Sequence, residues 1–217
     1  MKILFKKRGI LFIIFLFWLT STSGCFNQPK SAATAEHQIN VFESPVQSPT
    51  NDEPFVIQRG NSKYRIIPLA NYYIQAKVKS ISRYRFDKTS KISPVDFALV
   101  WGELSEPRAD KFISYSQSAR WYYYRYTDKS PWDSSFISRH SANNHILPAS
   151  NNIRKAILSV NKNDRVALSG WLVAVELITA DGSQEIWRSS LTRDDTGDYS
   201  CEVLWVKEVQ LEMKIYR

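Results

Sequence analysis

Cysteine, histidine and glycine are scarce in this chain, whose 217 residues include two cysteines, three histidines and seven glycines. So few cysteines and histidines exclude the zinc scaffolds that are built from clusters of these residues. The glycines form no Gly-rich loop, which excludes a phosphate-binding loop of the nucleotide-binding kind. The G-x-S-x-G nucleophile elbow of the α/β-hydrolases is also missing.

Excess positive charge is confined to the start of the chain. The formal net charge is +8, but four basic residues lie within the first eight positions. The remainder carries 25 basic and 21 acidic residues, an ordinary balance for an exported domain. Charge therefore does not favour a nucleic-acid partner.

The N-terminal segment has the order of a secretory signal peptide. A cationic stretch, "MKILFKKRG", precedes ten apolar residues, "ILFIIFLFWL", and the small residues "TSTSG" follow. Ten apolar residues are too few to span a bilayer, which takes about 20. We predict a signal peptide over residues 1–24, with an uncleaved short anchor as the alternative.

The residues "TSGC", 22–25, resemble the lipobox of bacterial lipoproteins, although Thr22 stands where that family prefers leucine. The resemblance implies that Cys25 is acylated and anchors the protein to a membrane. Because Asn27 is not the aspartate that retains lipoproteins in the inner membrane, the resemblance favours a periplasm-facing place in the outer membrane. The alternatives are cleavage near Gly24 with secretion, or anchoring in the inner membrane.

Residues 25–55 are predicted to be a lipidated cysteine followed by a disordered tether. Four of the nine prolines lie in this stretch, among Ser, Thr, Asn and Gln. Such a composition buries too little apolar surface to offset the chain entropy. Residues 56–217 are predicted to form one β-rich domain.

The domain shows strand periodicity. In "YYIQAKVKSIS", Ile74, Ala76 and Val78 alternate with polar residues. Near the C-terminus, "RVALSGWLVAVELI", "QEIWRSSL" and "YSCEVLWVKEVQLEM" are separated by the turns "ADGS" and "DDTGD". We predict a mainly β fold, a small antiparallel barrel or sandwich that ends in a three-strand meander. One short helix is predicted over residues 150–160, capped by Ser150 or Asn151.

The stretch "SRHSANNHILPASNN", 138–152, is interpreted as a polar loop with two histidines. Its "NHILPAS" resembles the start of the HNH nuclease core, which implies a metal-dependent general base at His145, with Asn144 where that core has an acid. A plainer metal site is the alternative, formed by His140 and His145 with Asp133 or Asn144. A third interpretation is a loop ordered by hydrogen bonds of its Asn and His side chains.

Two further features have structural explanations. The triplet in "DDTG", 194–197, is that of aspartic proteases, but a hairpin turn explains the same residues. Cys201 is interpreted as a small hydrophobic core residue of a strand. A disulfide between Cys25 and Cys201 is the alternative if Cys25 carries no lipid.

The run "RWYYYRY", 120–126, together with "SRYRF", 82–86, predicts a surface rich in Arg and Tyr that stacks on sugars, peptides or bases. Core packing and edge aromatics are the alternative. The binding candidates are Trp121, Tyr122, Tyr124, Arg125 and Tyr126.

The segments "WGEL", "ISYSQSARWYYYRY", "SANNHILPAS" and "NDRVALSGWLVAV" resemble an uncharacterised bacterial family of exported proteins. The resemblance implies a compact domain over residues 95 to 180, brings no known activity and leaves the function open. The sequence favours a non-enzymatic cell-envelope lipoprotein that binds cell-wall glycan or another envelope protein and needs no cofactor. The alternative is a metal-assisted periplasmic hydrolase, or a nuclease, that uses His145 and His140.

Overall fold

The structure, a computed structural model, describes residues 28–87, 89–178, 184–192 and 201–217. The predicted signal peptide, Cys25, the "ADGS" turn and the "DDTG" triplet lie outside these residues. Across the described ranges, no helix has the length and apolar character needed to cross a membrane.

Strands dominate the described residues, as the sequence predicts. The strands are β1 (Ala33–Thr34), β2 (Val46–Ser48), β3 (Phe55–Arg59), β4 (Ser62–Arg83), β5 (Val95–Val100), β6 (Ile113–Ser118), β7 (Trp121–Tyr126), β8 (Ser141–Pro148), β9 (Arg165–Ile178), β10 (Gln184–Arg188), β11 (Glu202–Leu211) and β12 (Lys214–Tyr216). The α-helices are α1 (Ser134–Arg139) and α2 (Asn151–Ser159), and two short 3-10 helices span Gly102–Ser105 and Pro107–Lys111.

Five of the strands close into a barrel. Strand β4 pairs with β5 and β9, β5 pairs with β8, and β11 joins β8 to β9. All of these pairs are antiparallel except β8–β11. The ring order β4–β5–β8–β11–β9, with α2 between β8 and β9, is the connectivity of an OB-fold, a five-stranded Greek-key barrel.

The barrel interior is apolar because alternate residues of each strand point inward. The buried side chains that fill it include Ile74, Ala76, Val78, Val95, Phe97, Leu99, Ile146, Val166, Leu168, Leu172, Leu204 and Val206. Where β9 crosses β11, a Cβ placed on Gly170 would lie 1.9 Å from the carbonyl oxygen of Trp205. Only glycine fits at this crossing.

Helix α2 confirms the predicted helix. The hydroxyl of Ser150 accepts a hydrogen bond from the amide of Ile153, at 3.1 Å, and so caps the first turn. Ile153 and Ile157 are completely buried in the barrel core. The helix is therefore held by the face that it buries there, as a nine-residue helix requires.

The C-terminal strands are successive and antiparallel, but their pairing differs from a simple meander. Strand β10 pairs with the second half of β9, and β11 pairs with the first half of β9. Strand β11 takes this place because it must also pair with β8 to close the barrel.

Residues 28–54 lie along the barrel rather than forming the predicted tether. Strand β1 pairs with β12, and β2 pairs with β4. Ile39 and Val41 are buried against Ala167. This segment has few apolar residues of its own, and it is ordered because the barrel provides hydrogen-bond partners and apolar contacts that composition does not reveal.

The hairpin β6–β7 and helix α1 form the connection between β5 and β8. Its turn consists of Ala119 and Arg120, both with positive φ, at 49° and 71°. Two such residues match a two-residue hairpin turn of type I′, in which both central residues have positive φ. The turn brings Arg120 to the outer surface of the barrel, where it contacts Asp96 of β5.

Candidate functional site

Polar side chains are buried together on the outer surface of β5 and β8. Asp96 and His145 are directly opposed across these strands. Asp96 is completely buried, and 4% of the surface of His145 is exposed. Charged groups are rarely buried to this extent without partners, so the surroundings of this pair decide what it does.

The sequence suggested that the stretch 138–152 is a loop, and this interpretation is wrong. Residues Ser141–Pro148 form β8, a central strand of the barrel, and all eight are buried. The polar composition suggests a loop, but Asn143 and His145 belong to a strand and point away from its apolar interior face. Their partners come from distant parts of the chain.

His145 and Asp96 form a buried ion pair. The Nδ1 of His145 lies 3.0 Å from Oδ2 of Asp96. No described residue gives either atom a well-aligned hydrogen bond, so charge rather than hydrogen-bond direction holds this contact. The other oxygen of Asp96 accepts a hydrogen bond from Nη1 of Arg120, at 2.8 Å.

Arg120 is itself fixed from several sides. Its guanidinium donates to both carboxylate oxygens of Asp87, at 2.9 and 3.1 Å, and to the carbonyl of Ser93, at 2.9 Å. It also lies 3.7 Å from the centre of the Tyr84 ring. These contacts hold the Asp96 carboxylate in one position.

Cys201 lies next to this pair and is not the core residue that the sequence suggested. It is a free thiol, half buried, at the entrance to β11. The side-chain amide of Asn143 donates to its sulfur, at 3.6 Å. Because β11 runs parallel to β8, Cys201 comes beside Asn143, two residues before His145 on β8.

The pKa of His145 depends on both Asp96 and Cys201. Burial by itself lowers the pKa of His145, but the interactions of His145 with Asp96 and with Cys201 outweigh burial and raise the pKa to about 9. His145 is therefore an imidazolium at neutral pH. Its positive charge lies on the face of the barrel that also carries Asp96 and Cys201.

Trp187 of β10 covers the imidazole. The two rings lie 4.7 Å apart between centroids, at an angle of 53°. The cover limits access of water to His145 and strengthens the charge interactions beneath it.

His140 does not join His145. It follows α1, where its ring stacks on Phe136 at 4.0 Å and its Nδ1 contacts the Phe136 carbonyl, at 2.9 Å. Five residues of extended chain separate the two histidines by roughly 16 Å, too far to share a metal ion. Asp133 instead caps α1 by accepting from the amide of Phe136, at 2.7 Å. In the described part of the chain, no three His, Cys, Asp or Glu side chains are placed to hold a metal ion.

Asn144 is separated from His145 by the alternation of the strand. It is completely buried, and its amide donates to the carbonyl of Ala142, at 3.3 Å. Adjacent residues of a strand point to opposite faces, so these two side chains do not act on one ligand. The strand-to-helix arrangement around "NHILPAS" therefore lacks the geometry of the HNH resemblance.

The aromatic hairpin has two different faces. Trp121, Tyr123 and Arg125 are exposed, and the exposed fractions are 39% for Trp121 and 52% for Tyr123. Tyr122 and Tyr124 face the barrel, half buried, where the hydroxyl of each shares a hydrogen bond with a serine hydroxyl. Tyr126 is exposed at the end of β7. Of the five binding candidates, Trp121, Arg125 and Tyr126 are thus available to a ligand in solution.

Comparison with protein-family models, with curated proteins and with solved structures finds no match to this chain.

Sequence reasoning missed Asp96, Arg120 and Cys201 as site residues. One signal was present, because Asp96 is the only charged residue in the apolar run "VDFALV" of β5. A charge in a strand that is otherwise apolar needs a buried partner.

Proposed function

We propose that this protein is a thiol-dependent acyl-transfer enzyme, in its simplest form a hydrolase of esters, thioesters or amides. The observation that carries the proposal is the placement of three side chains on one face of the barrel: His145 contacts Asp96, at 3.0 Å, and Cys201 lies beside Asn143, two residues before His145. Cys201 is the nucleophile, His145 exchanges protons with it and with the substrate, and Asp96 orients His145. Because Nδ1 faces Asp96, Nε2 is the nitrogen that serves the thiol.

The reaction follows from these roles. The sulfur of Cys201 attacks the acyl carbon, a C–S bond forms, and the carbonyl π electrons move onto oxygen. When the intermediate collapses, the bond to the leaving group breaks, and that group takes the proton of His145. Water then gives a proton to His145 and attacks the thioester, and the C–S bond breaks to return the thiolate and the imidazolium.

The barrel topology supports a functional site at this place. The site lies on β5 and β8, the second and third strands of the barrel in chain order, and this is the face on which OB-folds bind ligands. The fold alone carries no activity, so the argument depends on the three side chains. The sequence favoured a non-enzymatic domain because residues from three separate strand regions do not form a motif along the chain.

The activity is tested with the full chain and an activated ester such as p-nitrophenyl acetate. We expect turnover by the wild type, none by Cys201→Ala, and normal turnover by the control His140→Gln. A chelator is expected to leave turnover unchanged. Turnover that survives Cys201→Ala, or that a chelator abolishes, would overturn the proposal and favour the metal-assisted hydrolase.

The cellular place of this activity is proposed from the N-terminal sequence. A signal peptide over residues 1–24 and acylation of Cys25 would hold the barrel at the periplasmic side of a membrane, in the outer membrane by the resemblance. Labelling cells with a fatty-acid analogue tests this. The label is expected on the wild type and not on Cys25→Ser, and equal label on both would exclude acylation at Cys25.

A second candidate function is binding of cell-wall glycan or an envelope protein by the exposed face of β7. Its support is the adjacent exposure of Trp121, Tyr123 and Arg125 on one edge of a hairpin. Co-sedimentation with purified peptidoglycan is expected to fall in the double variant Trp121→Ala, Tyr123→Ala. The control is Phe86→Ala, because Phe86 is an exposed aromatic residue away from this hairpin, with 97% of its surface exposed. Equal co-sedimentation of the two variants would exclude this face.

A further inference from the structure

We infer that Asn143 donates the hydrogen bond that stabilises the oxyanion formed when Cys201 attacks a carbonyl group. The inference rests on the proposed acyl-transfer function and names the carbonyl oxygen as the part of the substrate that this residue recognises. Asn143 lies on β8, two residues before His145, and only 2% of its surface is exposed.

The orientation of the Asn143 amide is fixed by its neighbours. Gln117 of β6 donates to Oδ1 of Asn143, at 2.7 Å. The amide nitrogen donates to the carbonyl of Arg120, at 2.9 Å, and to the sulfur of Cys201, at 3.6 Å. A flipped amide would direct Nδ2 at the donor of Gln117 and Oδ1 at the carbonyl of Arg120, so one orientation is strongly preferred.

The turn of the β6–β7 hairpin takes part in this arrangement. Arg120 has a positive φ of 71°, and its carbonyl receives one of the two amide hydrogens of Asn143. Its side chain meanwhile holds Asp96. Arg120 therefore positions both the Asn143 amide beside the sulfur and the Asp96 carboxylate beside the imidazole of His145.

The remaining amide hydrogen is placed for the chemistry. In the resting protein it points to the sulfur of Cys201. As the C–S bond forms, negative charge leaves the sulfur and appears on the carbonyl oxygen, two bonds away. A buried donor that is already in place can follow this charge without reorganisation, which is the condition for oxyanion stabilisation.

The choice of substrate follows from this role. A donor beside the sulfur accelerates reactions that pass through a tetrahedral oxyanion, as esters, thioesters and amides do. It gives no such acceleration to alkylation, in which sulfur displaces a halide from carbon and no oxyanion forms. These two reactions of the same thiol therefore separate the role of Asn143 from that of His145.

The experiment compares both reactions in full-length wild type, Asn143→Ala and Gln117→Leu. For Asn143→Ala we expect hydrolysis of p-nitrophenyl acetate to fall by about 10²–10³, the effect of losing one oxyanion donor. Alkylation of Cys201 by iodoacetamide is expected to stay within about threefold of the wild type, because the imidazolium remains. Gln117→Leu frees the amide to rotate without touching the reacting atoms, and a fall of about threefold to tenfold in hydrolysis is expected.

The outcomes distinguish the two proposals. Absence of hydrolysis in the wild type would overturn the acyl-transfer function and this inference with it. Normal hydrolysis in Asn143→Ala, or an equal loss of hydrolysis and alkylation, would overturn the oxyanion role alone. If Asn143→Ala does not fold, Asn143→Leu keeps the volume of the side chain without a donor, and the same results decide.

Discussion

His145 is expected to control the reactivity of Cys201, and the variant His145→Gln removes that control. The thiolate is the nucleophilic form of a cysteine, and a neighbouring positive charge stabilises it. The pKa of His145 is raised to about 9, so an imidazolium lies beside the sulfur of Cys201 at neutral pH. Loss of this charge makes the sulfur less reactive. We expect alkylation of Cys201 to slow by about tenfold near neutral pH.

The assay follows iodoacetamide labelling of the Cys201 peptide by mass spectrometry, which separates it from any label on Cys25. Between about pH 6 and 8 the wild-type rate is expected to depend less steeply on pH than the rate in His145→Gln, because the imidazolium of His145 persists there. His140→Gln is the matched control, since His140 lies at the other end of the same strand region and contacts Phe136 rather than the thiol. A wild-type rate that rises with pH as steeply as that of His145→Gln would refute the control of Cys201 by His145.

Three predictions concern stability, each measured by urea unfolding. Because folding raises the pKa of His145 from 6.5 to about 9, its stabilisation is complete below pH 6.5 and is lost as the pH rises through 9. The wild type should therefore lose about 3 kcal/mol of unfolding free energy relative to His145→Gln between about pH 6 and 10. An equal pH dependence of the unfolding free energy in both proteins would contradict this. Gly170→Ala should cost about 3 kcal/mol or more of unfolding free energy, since its Cβ meets the Trp205 carbonyl. The control Gly60→Ala should cost about 1 kcal/mol for its positive φ alone. Equal costs would refute the close approach of Gly170 to Trp205. Ser150→Ala should cost about 1 kcal/mol through loss of the α2 cap, and no change would show that the cap contributes nothing.

The sequence predicts those parts of the fold that depend on local pattern. Alternation identifies β4 because its inner residues, such as Ile74 and Ala76, face an apolar core along the whole strand. Helix α2 is equally predictable, since its cap and its buried face lie within eleven residues. The failures have one cause, which is that partners distant in sequence are invisible to composition and spacing.

Residues 28–54 and β8 show this cause clearly. The first segment has the composition of a tether, but the carbonyl of Val41 accepts a hydrogen bond from the amide of Gly102, at 2.9 Å, and β1 adds to β12. The second has the composition of a loop, but its Asn143 side chain has hydrogen-bond partners in β6, the hairpin turn and the entrance to β11. The catalytic candidates are separated by 49 and 56 residues along the chain, and only the closed barrel brings them together.

The central claim is that Cys201 forms a covalent bond to an acyl group with the help of His145. The most direct measurement is rapid acid quenching of the wild type with p-nitrophenyl acetate, followed by mass analysis of the Cys201 peptide. The account predicts an acetyl thioester on Cys201 that forms before steady-state turnover and is much slower to form in His145→Gln. An unmodified Cys201 during active turnover, or an acetyl group that forms equally fast without His145, would contradict it.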